Sequence, residues 1–261
     1  MKLTKMYIGL VFLILFNFTF LFFYYYNNTN FDSKNSFKNP TINSKIPPEK
    51  IKENTIDGYT VIEIKDLITN AECDHIIKLA TQKGYVDSEV YNDNAANNSK
   101  IGDLDKNYRL SKTCWIENAE DPLVEKIADI SVYMTKIPRE NQEALQVAKY
   151  DIDGKFDSHY DCCVYNDEDK CRIMNGNAGE RRSTLMIYLN DDFEGGETEF
   201  EKIGLKIKPE KGKAILFWST DDNGKMIENS LHRGNKVTKG TKIICTKWSH
   251  MYKWENIPIT K

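Results

Sequence analysis

Five short runs of apolar and β-branched residues, at 58–64, 144–150, 183–190, 213–218 and 242–248, limit what this chain can fold into. Each is too short for a stable helix and is bounded by Gly, Asp, Asn or Pro, so each reads as a strand. Two helices are signalled as well. Thr69-Asn-Ala-Glu72 is a capping-box pattern ahead of Ile76, Ile77, Leu79 and Ala80. Asp121-Pro122 supplies an N-cap and a first-turn proline ahead of Leu123, Val124, Ile127 and Ile130. Later segments read as strands only. Strands that follow helices, without alternating with them, predict an α+β fold dominated by a barrel or sandwich and not an alternating βαβ sheet.

The N-terminus has a different character. Residues 6–26 carry no charge and are long enough for a helix to cross a bilayer, which takes about 20 apolar residues. Lys2 and Lys5 precede the run and uncharged Asn27, Asn28, Thr29 and Asn30 follow it. The positive-inside bias then keeps residues 1–5 cytosolic and the rest of the chain lumenal, as in a type II membrane protein of the endoplasmic reticulum or Golgi. A cleaved signal peptide is the competing reading, but it needs small residues before the cut, and Tyr24, Tyr25 and Tyr26 supply none. Residues 27–56, rich in Asn, Ser, Lys and Pro, read as a flexible stem. A single folded domain is expected over 57–255, with a short tail at 256–261.

All six cysteines (Cys73, Cys114, Cys162, Cys163, Cys171 and Cys245) follow the uncharged run, as an oxidising compartment would allow. Cys162 or Cys163 with Cys171 is the most local pairing; buried free thiols are the alternative. No cysteine pair has the spacing of a structural zinc knuckle. Asn27 and Asn97 stand in glycosylation sequons, which matter only in a secretory lumen. With 36 basic and 39 acidic side chains the net charge is −3, so no nucleic-acid partner is expected.

Side chains with chemical potential gather in the C-terminal half. His159 and Asp161 stand at i and i+2, on one face of an extended strand. The turn Phe193-Glu-Gly-Gly-Glu-Thr198 contains paired glycines that permit backbone other residues avoid. His232 follows, and Lys242 opens a strand in which Lys242, Ile244, Thr246 and Trp248 share a face. A lysine among such neighbours is costly unless it meets an anion. His75 and His250 read as structural or solvated.

His159-x-Asp161, His232 and Lys242, with Tyr150 upstream and the Gly-Gly-Glu-Thr turn between, resemble the iron(II) and 2-oxoglutarate-dependent oxygenases. The resemblance is strongest to the prolyl 4-hydroxylases of collagen and plant cell-wall proteins. It spans about 57–255 and includes the strings RRSTLMIYLN, SLHRGNKV and GTKIICTKW. It implies a double-stranded β-helix (jelly-roll) core with supporting N-terminal helices, here preceded by one transmembrane helix. It also implies Fe(2+) held by His159, Asp161 and His232, a facial triad that leaves other positions open. The cosubstrates would be 2-oxoglutarate, held by Lys242, Tyr150 and Thr198, and dioxygen, with L-ascorbate as a further requirement. The reaction would couple decarboxylation of 2-oxoglutarate to succinate with hydroxylation of the substrate.

For the substrate, the resemblance points to Arg109, Ser111, Glu143, Arg181 and Trp248, with Trp115 near the same groove, and to a proline-rich or collagen-like peptide. Where the family usually has Tyr three residues before the first histidine, this chain has Phe156. The stretch 162–180 reads as a mobile lid. A lysyl or other side-chain hydroxylase is the alternative among enzymes, although such lysyl enzymes usually hold 2-oxoglutarate with an arginine. A catalytically inactive, membrane-anchored binding module is the alternative outside them.

Overall fold

A computed structural model describes residues 46–90, 105–164, 171–172 and 175–255. The uncharged run, most of the stem and both sequons lie outside the described residues. Among the described residues no helix is long and apolar enough to cross a membrane.

The chain begins with β1 (Ile51–Ile56), β2 (Tyr59–Ile64), α1 (Asn70–Lys83), β3 (Val86–Asp87), β4 (Arg109–Leu110), β5 (Lys112–Ile116) and α2 (Pro122–Thr135). It continues with β6 (Leu145–Tyr150), β7 (Lys155–His159), β8 (Arg181–Tyr188), β9 (Glu194–Gly195), β10 (Thr198–Phe200) and β11 (Leu205–Ile207). The last strands are β12 (Ala214–Trp218), β13 (His232–Gly234), β14 (Val237–Lys239) and β15 (Lys242–His250).

A large sheet has the order β1-β2-β12-β8-β15-β6-β5-β3, and a smaller one the order β11-β10-β13-β7-β4. Neighbours in both pair antiparallel. The architecture, mostly antiparallel sheet with two α-helices among the described residues, is consistent with the expected double-stranded β-helix core.

Alternation along the large sheet separates two cores. Towards the helices, Val147, Leu185, Ile187 and Cys245 pack with Cys73, Ile76 and Ala80 of α1 and with Val124 and Ile127 of α2. On the opposite face Ala148, Met186, Tyr188, Phe217 and Ile244 pack with Phe200 and Ile207 of the smaller sheet. Helices, large sheet and small sheet therefore form three layers, with the second core between the sheets.

Both helices start where expected. Thr69 Oγ1 accepts from the Glu72 amide at 3.2 Å while Glu72 accepts from the Thr69 amide at 2.8 Å, and Asp121 accepts from the Leu123 amide ahead of α2. All five expected strands form. The stem expected over 27–56 is corrected at its end, because residues 51–56 are β1, paired with β2 from Ile51↔Ile64 to Ile56↔Tyr59. Its polar pattern suits an edge strand, and the overlooked signal is Asp57-Gly58. Both residues have positive φ (50° and 75°), as a two-residue hairpin turn requires.

Thr69→Ala should lower unfolding stability by about 1 kcal/mol in urea denaturation monitored by circular dichroism, because it leaves a helix N-terminal amide without its acceptor.

Candidate active site

Strand register brings the dispersed residues together. Pairing of β13 with β7 sets His232 opposite His159, and pairing of β15 with β6 sets Lys242 opposite Tyr150. Thr198 on β10 lies opposite Gly234, two residues beyond His232. His159, Asp161, His232, Tyr150, Thr198 and Lys242 line one cavity between the sheets, joined by Arg109 and Trp248.

His159 Nε2 lies 3.7 Å and His232 Nε2 3.9 Å from Asp161 Oδ1. One donor atom from each of the three residues falls within 4.8 Å of the others, a set that can hold a metal ion. Both rings are anchored through their other nitrogen, His159 Nδ1 to the Asp157 carbonyl at 2.7 Å and His232 Nδ1 to the Ser230 carbonyl at 2.9 Å. With Nδ1 as donor, each Nε2 presents a lone pair to the cavity. Burial, then the neighbouring His232, holds the His159 pKa well below the usual range, so its imidazole is neutral, as a metal ligand must be. Burial opposes the charge on Asp161, but the two imidazoles, Arg181 and the Thr184 hydroxyl, donating at 2.5 Å to Oδ2, keep its pKa low.

Lys242 is 2% exposed. Among the described residues its ammonium has no hydrogen bond or ion pair; it lies 5.3 Å from the Tyr150 ring centroid and 5.7 Å from that of Tyr188. Burial pulls its pKa down to about 7, with Glu197 opposing from a distance. The paired glycines make room for this arrangement. At Gly196 (φ 68°) a Cβ would lie 3.0 Å from Lys242 Cδ, and at Gly195 (φ 75°) one would lie 2.2 Å from the Lys236 carbonyl oxygen.

The remaining expected residues divide. Arg109 is buried, with Nε donating to Ser111 at 3.0 Å and Nη2 to Gln146 at 2.9 Å; Ser111 lines an adjoining cavity of about 160 Å³ that shares Arg109. Trp248 faces the cavity, and its buried indole N–H has no hydrogen-bond partner among the described residues. Trp115 is half-exposed, its ring centroid 6.0 Å from that of Trp248. Glu143 and Arg181 do not line the cavity but pair beneath it, through Arg181 Nε to Glu143 at 2.5 Å and Nη2 at 3.1 Å. The Arg181 guanidinium lies 4.0 Å from the Trp248 ring centroid and reaches the Asp161 carbonyl at 3.4 Å. The pair thus supports the cavity wall.

His250 is fully buried between Glu143 and the Gly179 carbonyl, and His75 bonds the N-cap Asp121; both are structural. The stretch 162–180 falls partly outside the described residues. Its described ends are joined by a Cys163–Cys171 disulfide, and Glu180 accepts from the Cys163 amide and the Asn175 side chain. Cys73, Cys114, Cys162 and Cys245 are buried free thiols.

Thr184, Met186 and Tyr188 were not anticipated. Thr184 holds Asp161, Tyr188 donates to Thr198 Oγ1 at 2.6 Å, and Met186 lines the cavity. The period of two that placed Lys242, Ile244 and Thr246 on one face, applied to 183–190, would have picked them out.

Two imidazoles and a carboxylate that could hold a metal ion lie between two antiparallel sheets, and residues 145–250 match the family model of the 2OG-Fe(II) oxygenase superfamily. Prolyl 4-hydroxylase 2 of Arabidopsis thaliana is 32% identical over 235 residues, covering 82% of this chain and 74% of the relative. A putative prolyl 4-hydroxylase of Acanthamoeba polyphaga mimivirus is 32% identical, over 71% of this chain and 72% of that one. The 2OG complex of a viral collagen prolyl hydroxylase from Paramecium Bursaria Chlorella virus-1 superposes with a TM-score of 0.58 at 29% identity, covering 75% of this chain and 98% of that one. The chain belongs to the prolyl 4-hydroxylase family of 2OG-Fe(II) oxygenases. The superfamily uses Fe(2+), 2-oxoglutarate and O2, and ascorbate is typical of prolyl hydroxylases.

Glu143→Gln should destabilise the protein by about 3 kcal/mol at neutral pH, because it removes one partner of a buried pair. Burial opposes ionisation of Glu143, but Arg181 and the hydrogen bonds from His250 and Arg181 hold its pKa at about 2, below the ordinary 4.5. The depressed pKa makes this stability fully present above about pH 4.5 and lost as pH falls towards about 2. Urea denaturation of both proteins between those limits should show the gap closing.

Proposed function

We propose that this protein is a membrane-anchored prolyl 4-hydroxylase of proline-rich or collagen-like peptides, with residues 57–255 on the lumenal side of the endoplasmic reticulum or Golgi. The observation that carries the reaction is one cavity holding two imidazoles, a carboxylate and, separately, a buried lysine with no ion pair among the described residues. The peptide class is supported by the names of the relatives, and the anchor by the uncharged run at 6–26 behind Lys2 and Lys5.

The donor set suits ferrous iron, which His159 Nε2, His232 Nε2 and Asp161 would hold. Bound there, iron with 2-oxoglutarate and dioxygen would supply the oxidising power that converts 2-oxoglutarate to succinate and carbon dioxide and places the second oxygen atom on proline. The protein's own work is binding and exclusion. Lys242 Nζ pairs with the distal carboxylate of 2-oxoglutarate, which resolves its buried charge. Thr198 Oγ1 accepts from Tyr188 and donates only in a long contact to Met186 Sδ at 4.0 Å, a weak acceptor it can exchange for that carboxylate, and the Tyr150 hydroxyl donates to the same group from the paired strand. Met186, Phe217 and Ile244 give these contacts an apolar surround. Arg109, fixed by Ser111 and Gln146, and the ring of Trp248, backed by Arg181, stand on the peptide side of the cavity.

The decisive experiment is mass spectrometry of collagen-like and plant-wall-like peptides incubated with the full chain in detergent, ferrous iron, ascorbate, 2-oxoglutarate and air. One added oxygen on proline, dependent on 2-oxoglutarate and absent in His159→Ala and His232→Ala, is the expected result. Succinate without modified proline would redirect the search to lysine or other side chains, and no succinate at all would favour a binding module. In cells, resistance to carbonate washing and protection of the C-terminal domain from added protease would bear out the anchor; a soluble secreted product would overturn it.

Lys242 adds a pH signature. With its pKa in the free site at about 7, the ammonium is charged below that pH and must take up a proton to bind the anion above it. The apparent KM for 2-oxoglutarate should be flat below about pH 7 and rise about tenfold per unit above it. Lys242→Ala should raise that KM on the order of 100-fold at neutral pH, leave the peptide KM little changed and abolish the pH dependence.

A further inference from the structure

Phe156 and His159 stand three positions apart on β7, and in a regular strand residues at i and i+3 project from opposite faces. They are nevertheless stacked, with ring centroids 3.5 Å apart and planes inclined by 13°. The cause is an irregularity in pairing: β13 sets His232 against His159 and Gly234 against Phe156, so three steps along β7 match two along β13. The one extra residue bulges and turns the strand's faces over, which brings both rings to the cavity side.

The bulge constrains the imidazole twice. It contains Asp157, whose carbonyl accepts from His159 Nδ1 at 2.7 Å. That hydrogen bond selects the protonated nitrogen but still lets the ring rock about the Nδ1···O axis. A flat ring against the imidazole face removes this motion without obstructing the Nε2 lone pair, which lies in the imidazole plane. Phe156 is itself held from β4, where Arg109 is its register partner and places its guanidinium 4.6 Å from the ring centroid. Tyr108 meets the ring edge-on, with centroids 5.7 Å apart.

His232 provides the contrast. Its Nδ1 also bonds the carbonyl two residues back, and its ring touches Phe217 and Phe200 at 4.8 and 5.5 Å, neither of them in parallel stacking. Phe200 and Phe217 are fully buried core residues, so their rings are accounted for by packing. Phe156 is only partly buried, touches the edge of the second core and lines the cavity wall, so core filling alone does not account for its flat stacking on the imidazole.

We propose that Phe156 is a positioning residue: the bulge in β7 presses its ring onto His159, fixing the imidazole plane and with it the direction in which Nε2 meets the metal. This rests on the reading of His159 as a metal ligand. Replacing Phe156 by Leu keeps apolar bulk but loses the flat face, whereas Tyr and Trp keep it.

The test is anaerobic titration of the metal-free full chain in detergent with Co(2+), without 2-oxoglutarate or peptide, following the ligand-field spectrum of bound cobalt. Phe156→Leu should weaken cobalt binding by about 10- to 100-fold, as loss of an outer partner of a metal ligand does, and alter the spectrum. Phe156→Tyr should restore both to within about threefold, and Phe156→Trp replaces Phe156→Leu as evidence, by retaining both, if the leucine variant does not fold. Wild-type affinity and spectrum in Phe156→Leu would overturn the proposal, even if its peptide KM changed. Undiminished cobalt binding in His159→Ala would instead overturn the ligand assignment, and the inference with it.

Discussion

The register of two antiparallel pairs, β13 with β7 and β15 with β6, underlies everything else in the site. A strand shifted by one residue turns every side chain to its other face. For β15 that slip would send Lys242 towards the helices, where Cys245 now packs, and would bring Ile243 to the cavity. For β7 it would separate His159 from His232. The two cores hold the register because each face of the large sheet meets a different partner, helices on one side and the smaller sheet on the other. The stabilisation is thus supplied by many buried apolar side chains, each worth about 1.5–3 kcal/mol when fully buried, while the chemistry needs only a few polar ones.

Within this frame the buried charges are handled in different ways, and the differences carry the functional reading. Glu143 and Arg181 neutralise each other and support Trp248 and Asp161. Lys213 meets Glu63 and Glu210. Lys247, fully buried on the helix side, donates to the Asn118 side chain and the Glu143 carbonyl. Lys242 has no such arrangement among the described residues, although it is as deeply buried. A desolvated lysine in a cavity lined by two imidazoles and a carboxylate fits the proposed anionic cosubstrate beside a metal.

Much of this was legible one segment at a time. The capping box at Thr69, the N-cap at Asp121 and the alternation that put Lys242 with Ile244 and Trp248 are local patterns, and the structure contains each of them. β1 escaped notice because an edge strand buries little and so shows little apolar alternation; its signal was the Asp57-Gly58 turn. Which of Cys162 and Cys163 bonds Cys171 could not be read, because adjacent residues have nearly the same reach along the chain. The resemblance placed Glu143 and Arg181 at the substrate surface; in the structure they pair with each other, Glu143 buried against His250 and Arg181 partly exposed against the Trp248 ring.

Residue types and their spacing determined by themselves the two helix starts, five apolar strands and the candidate donors, which depend on neighbours within a few positions, and the order of motifs along the chain carried the match to the 2OG-Fe(II) oxygenases. Tertiary structure alone decided that Thr184 would hold Asp161, that Tyr188 would orient Thr198, and that Phe156 would lie on His159. Those contacts depend on which strands pair and where one strand carries an extra residue. The free energy that settles pairing comes from burial summed over both sheet faces, so it belongs to no single segment of the chain.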